Sequence, residues 1–135
     1  MWDNIFKPID TLQRGVSAAW TRNAVIRNNI ANVETPGFKA SDVEFETIMA
    51  RAIDGSGFVG TKTHSRHIDI GSGDLGSIVP RITERRDLGM RMDGNNVDIE
   101  GENVRLAQNT LYSNTLIEKL NSEIRRLRMA ITEGR

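Results

Sequence analysis

Apolar residues recur along the first third of the chain at Ile5, Ile9, Leu12, Val16, Ala19, Ile26, Ile30 and Val33, with Asn23 in the one open slot. The steps alternate between four and three residues, the rhythm of a helix whose apolar stripe faces another helix. Pro8 fits if the helix proper begins near it, with Asp10 in the first turn, where an acid suits the helix dipole. The last third repeats the rhythm. Ile99, Leu106, Ile117, Leu120, Ile124, Leu127 and Ile131 share one register, with Asn103, Thr110 and Ser113 between them, and Val104, Ala107 and Leu111 form a second stripe alongside. Acids open this helix at Asp98, Glu100 and Glu102, and Arg125, Arg126 and Arg128 close it, which complements the dipole at both ends.

Between the two rhythms the pattern breaks. Ser41–Glu44 reads Ser-Asp-Val-Glu, the form of a capping box, and Phe45, Ile48, Met49, Ala52 and Ile53 follow at helical spacing, which predicts a short helix over 42–53. From Gly55 to Asn96 glycine is frequent and no run alternates cleanly; stretches 77–83 and 89–93 offer room for short strands and a small β-hairpin. The fold class expected is therefore mainly α: long N- and C-terminal helices pairing as a coiled coil, with a loop-rich middle. The segments are 1–35, 36–96 and 97–135. A single partner helix covers only one side of each rod, so the termini are expected to gain order on assembly.

Composition narrows the chemistry. The chain has 135 residues, enough for one domain. Lys and Arg number 18 against 18 for Asp and Glu, and this balance argues against a nucleic-acid partner. No apolar run approaches the roughly 18 residues of a membrane span, and no basic stretch followed by an apolar one opens the chain, so neither membrane insertion nor a cleaved signal peptide is expected. Without cysteine there is no disulfide, thiolate metal site or cysteine nucleophile. His64 and His67, with Asp69 nearby, are spaced as two zinc ligands on a helix would be, but they sit between glycines with no third ligand signalled. The glycine-rich stretch 71–77 lacks the lysine of a phosphate loop, and no nucleophile-elbow pattern occurs. No catalytic, cofactor or metal site is expected.

One stretch resists a bland reading: Asn-Asn-Ile-Ala-Asn-Val-Glu-Thr-Pro-Gly-Phe-Lys, residues 28–39. Asn28 and Asn32 share a helical face beside the stripe, and Asn29 lies off to one flank. Three weak helix formers in five positions need hydrogen bonds across a contact, or to the turn that follows. Pro36 disfavours helix at Thr35, and Pro36-Gly37 suits the centre of a type II turn, leaving Phe38 to pack back. An ordinary helix cap and a contact surface both fit these residues.

This stretch resembles the N-terminal signature of the flagellar rod, hook and related axial proteins, which runs N-N-I-A-N-x-x-T-P-G-[FY]-[KR]. The middle stretch Lys-Thr-His-Ser-Arg-His-Ile (62–68), the stretch 93–102 beginning Asp-Gly-Asn-Asn-Val-Asp, and the similar length resemble the proximal rod proteins of the flagellar basal body. The likeness spans the chain, strongest over 28–45 and 93–102, while the glycine blocks 55–60 and 71–76 match no family pattern. The resemblance implies a structural subunit, not an enzyme. Its terminal helices would pair as a coiled coil, and subunits would stack helically into the torque-transmitting axle across the periplasm. It implies export through the flagellar type III apparatus without a cleaved signal peptide. It implies as partners other copies, the neighbouring rod proteins, a FliE-type adaptor and the membrane ring at the rod base. On that reading Asn28, Asn29, Ile30, Asn32, Thr35, Pro36, Gly37, Phe38 and Lys39 are signature residues at subunit contacts. The seam comprises Leu12, Val16, Ile26 and Val33 with Leu106, Ile117, Leu120, Ile124, Leu127 and Ile131. Another axial subunit or a soluble coiled-coil adaptor is the alternative; a histidine-centred enzyme is the third class.

Overall fold

The computed structural model describes residues 3–53, 78–87 and 91–133. His64, His67, Asp69 and the glycine-rich stretch around them lie outside the described residues. Five elements follow in order: helix α1 (Asp3–Ala31), strand β1 (Ser41–Glu44), helix α2 (Glu46–Ile53), strand β2 (Arg81–Glu84) and helix α3 (Ile99–Glu133). At 1.5 Å per residue the long helices extend about 43 and 52 Å. The architecture is the mainly α one that the apolar rhythm predicts: two long helices packed together, one short helix and a two-stranded antiparallel sheet.

α1 begins before Pro8 and runs through it. Its buried face carries Val16, Ala19 and Ile26, with Leu12, Ile30 and Val33 half-buried. α3 lies antiparallel on this face: Asn29 meets Glu102, Ala19 meets Asn109, and Gly15 meets Leu116. Gly15 earns its place here, because a Cβ would stand 3.3 Å from Leu116 Cδ1; its absence lets the leucine seat against the helix backbone.

Along α3 the row facing α1 is not the one richest in apolar residues. Leu106, Leu120, Leu127 and Ile117 are half-buried, but Ile124 is 47% and Ile131 75% exposed. Glu102 and Asn109 are buried and Leu116 half-buried, each one residue before the position that the apolar count selects. Within the single chain, Ile124 and Ile131 therefore stand at the outer edge of the seam.

The middle differs from the expected helix over 42–53. Ser41–Glu44 is a strand, pairing Ser41 with Glu84 through Glu44 with Arg81, and α2 starts only at Glu46. The reason is local. Both backbone groups of Ser41 are taken by the Asn29 side chain, which holds the segment extended and removes the N–H that a capping box would use. Of the two candidate strand stretches, 77–83 overlaps β2, whereas Arg91–Asp93 forms a turn. Ala18, Phe45, Met49 and Ile78 form a small core where α2 and the segment leading into β2 close over the side of α1, and Ile48 packs against it.

Candidate functional site

The signature stretch and the Asp-Gly-Asn-Asn stretch, about sixty residues apart in sequence, form one interlocked joint at the end of the helix pair. α1 tightens as it ends, with Val33 N–H donating to Ile30 O at 3.3 Å and Thr35 N–H to Asn32 O at 3.0 Å. The carbonyls of the turn that follows α1 also need partners, and a side chain from far along the chain supplies three of them. Asn95 is fully buried, and its Nδ2 donates to the carbonyls of Asn32, Val33 and Thr35 at 3.0, 3.0 and 2.9 Å. Its Oδ1 accepts from Val97 N–H at 2.7 Å, and its own N–H donates to Asp93 Oδ1 at 3.0 Å. The stretch that precedes α3 thus caps α1 through the turn at its end.

Beyond the cap, Thr35–Phe38 closes as a turn, with Phe38 N–H donating to Thr35 O at 3.3 Å and Gly37 at φ +73°. That positive φ belongs to the third position of a type II turn and excludes most side chains. Gly94 adopts φ +80° directly opposite, its would-be Cβ 3.8 Å from Gly37 Cα. Gly37 N–H donates to Asp93 O at 2.9 Å, and Lys39 Nζ donates to Gly94 O at 2.6 Å. Asn96 extends the joint to the sheet, accepting from Ala40 N–H at 2.7 Å and donating to Arg85 O at 3.0 Å.

Asn29, which helical spacing sets off to one flank, is the most enclosed of the three signature asparagines, at 1% exposure. Its Nδ2 donates to Ser41 O at 2.9 Å and to Glu102 Oε2 at 3.0 Å, and its Oδ1 accepts from Ser41 N–H at 3.0 Å. Glu102, also 1% exposed, accepts from Arg85 and, at 3.2 Å, from Arg105. Asp42 stands 3.1 Å from Arg105 and 3.4 Å from Arg85 Nε, completing a ring of two acids and two arginines. A buried carboxylate with this many donors is compensated, whereas removing one partner would leave charge stranded.

The remaining signature side chains stay close to their own helix or face outward. Asn32 Nδ2 donates to Asn28 O at 2.8 Å, and Thr35 Oγ1 donates to Asn32 Oδ1 at 3.2 Å. Asn28, Thr35, Pro36 and Gly37 are exposed; Ile30, Phe38 and Lys39 are half-buried. Asn95, Asn96, Arg85, Asp42 and Glu102 were missed by sequence reasoning. The signal available was the pair of adjacent asparagines after Gly94, whose placement next to a positive-φ glycine suits side chain-to-backbone hydrogen bonding.

Beside the joint, α1, β1 and α3 leave an open groove of about 470 Å³. Val25, Ile26, Val43 and Tyr112 line it, and two ion pairs rim it: Arg22 with Glu46 at 2.5 Å and Arg105 with Asp42. The Arg22 guanidinium, hydrogen-bonded to Glu46, holds that carboxyl below its ordinary pKa of 4.5. Among the described residues no group of three or more metal-ligating side chains is brought together, and no helix is long and apolar enough to cross a membrane.

Residues 9–39, which cover most of α1 and the turn, match the family pattern described as flagella basal body rod protein. Along nearly the whole chain the sequence is similar to proteins named flagellar basal body rod protein FlgB. That of Bacillus subtilis (strain 168) is 33% identical over 127 residues, 94% of this chain and 95% of that protein. That of Aeromonas hydrophila is 34% identical, covering 88% of each chain. That of Cereibacter sphaeroides is 37% identical, covering 82% of this chain and 83% of that protein.

Proposed function

The chain belongs to the flagellar basal body rod protein family and is a structural subunit of that rod, and from this premise we propose how it is built into the assembly. The family is structural rather than enzymatic. In our reading the chain is a proximal-rod subunit that stacks helically with its own copies and neighbouring rod proteins to form the axle across the periplasm. It meets a FliE-type adaptor and the membrane ring at the rod base, and reaches its place through the flagellar type III export apparatus without a cleaved signal peptide.

One observation carries this reading. Large apolar side chains remain exposed on the outer sides of both long helices: Trp20 at 66%, Leu111 at 69% and Ile131 at 75%. A helix pair that needed only itself would not keep such side chains in water along two rods; they are the contact surface of an assembled subunit. The joint then fixes the end of the pair and displays the exposed tip of Asn28, Thr35, Pro36 and Gly37 to a neighbour. Asn29, Asn95 and Glu102 work inside, holding that tip in shape.

The test is removal of the gene, followed by electron microscopy of basal bodies and a motility assay. Loss of the rod and of swimming, both restored by the intact chain, is expected. Normal rods without the chain would reject the reading. Dilute purified chain should show less helix by circular dichroism than the two rods contain, the shortfall lying at the rod ends away from the joint, and gain it on association; full helicity in the monomer would reject ordering on assembly.

A further inference from the structure

α3 offers α1 two alternative faces. Both share the row Leu106, Ser113, Leu120 and Leu127, which is half-buried. On one flank of that row lie Glu102, Asn109, Leu116 and Glu123; on the other lie Asn103, Thr110, Ile117, Ile124 and Ile131, while Ile99 extends the shared row. Successive residues on a helix differ by about 100°, so turning α3 by roughly half that angle would exchange one flank for the other.

Burial of apolar area alone favours the isoleucine flank. The structure uses the polar one. Glu102 is 1% and Asn109 3% exposed, while Ile124 stays 47% exposed. Each polar residue has a partner available only in this orientation. Asn109 Nδ2 donates to Ala19 O at 2.9 Å, in the middle of the opposite helix. Glu102 receives Asn29 at 3.0 Å and Arg85 from across the contact, while Arg105, on α3 itself, follows it in either orientation. Leu116, seven residues beyond Asn109, seats closely because Gly15 omits its Cβ.

We propose that Glu102 and Asn109 select which face of α3 receives α1, overriding the more apolar flank and leaving the isoleucine edge outside the pair. A single polar residue in a helix seam is known to set register and pairing at a cost in stability, because the wrong arrangement strands it without a partner. Here two such residues act seven positions apart, on the same row. The selection operates inside one chain, whatever the isoleucine edge meets in the assembly.

The absence of cysteine allows a clean test. Two reporter proteins are made, one carrying Gly15→Cys with Leu116→Cys and one carrying Gly15→Cys with Ile117→Cys. In the parent background the 116 pair is expected to oxidise and the 117 pair to stay reduced. With Glu102→Leu and Asn109→Leu added together, the preference is expected to invert, with far-UV circular dichroism showing the helices retained. Asn109→Leu alone should give both cross-links and serves if the combined variant does not fold. Exclusive closure of the 116 pair in a folded variant lacking both polar groups, or in Asn109→Leu where only that one folds, would overturn the proposal.

Discussion

Replacing Asn95 tests the joint at the residue on which most of it converges. Alanine would remove a donor to three carbonyls and the acceptor for Val97 N–H. The carbonyls keep other partners: Thr35 N–H on Asn32, Arg91 Nη1 on Val33 and Phe38 N–H on Thr35. The two amide hydrogens shared among these carbonyls cost about 2 kcal/mol when lost, while the buried Val97 N–H, left without an acceptor, costs about 1–3 kcal/mol. The total is roughly 3–5 kcal/mol, a large part of the ~5–15 kcal/mol that holds a domain together. At about 3 °C per kcal/mol for a chain of this size, the midpoint should fall by roughly 9–15 °C. Asn95→Asp isolates the role of the amide donor. It keeps the shape and the Val97 acceptor, yet turns an oxygen toward three carbonyls in a site with no solvent access, so it should be no better than alanine. Urea and thermal unfolding followed by circular dichroism measure both variants. Asn95→Asp within about 1 kcal/mol of the parent would show that the amide donor does not hold the end of α1.

Four further outcomes follow from separate parts of the structure. Gly37→Ala should cost about 1–2 kcal/mol in urea unfolding even though nothing lies within 4 Å of the new methyl, because the expense is the positive φ alone; Gly37→Asn should cost less. Gly15→Ala should be close to neutral in a thermal melt, since the helix gains about 1 kcal/mol from alanine while the flexible end of Leu116 yields slightly; Gly15→Leu should cost about 1–3 kcal/mol by prising α3 away. Asn29→Ala should lower stability by roughly 2–4 kcal/mol in the isolated chain, before any assembly, because Ser41 and Glu102 both lose a buried partner. The depressed carboxyl of Glu46 contributes stability that is present above its ordinary value of 4.5 and fades as pH falls through the lower folded value. Melts of Glu46→Gln should therefore approach the parent in acid and lie below it at neutral pH, by a small margin because the pair is open to solvent.

The helices were legible because their apolar rhythm is long and regular, and on α1 the inward positions Val16, Ala19 and Ile26 are those the rhythm marks. On α3 the same reading selected Ile124 and Ile131, because counting apolar residues passes over Glu102 and Asn109, whose burial depends on partners rather than on hydrophobicity. Ser41–Glu44 has local capping-box chemistry, yet Asn29, twelve residues earlier, engages both backbone groups of Ser41 and draws the segment into a strand. Asn95 sits just before one helix and caps another, across 60 to 63 residues. Periodicity carries no information about such pairings. Spacing marked the signature asparagines as unusual, but only the folded chain separates Asn29 inside from Asn28 outside.

Whether the exposed helix faces build the rod is read most directly from the content of isolated basal bodies when Leu111 and Ile131, both on the exposed sides of α3, are changed to aspartate together. Neither side chain supports the interior, so the purified double variant should unfold within about 1 kcal/mol of the parent. The expected result is a folded chain missing from basal bodies, rods that fail to form, and cells that do not swim. A variant recovered in rods at parental amounts, in swimming cells, would contradict the claim that the exposed helix faces build the rod.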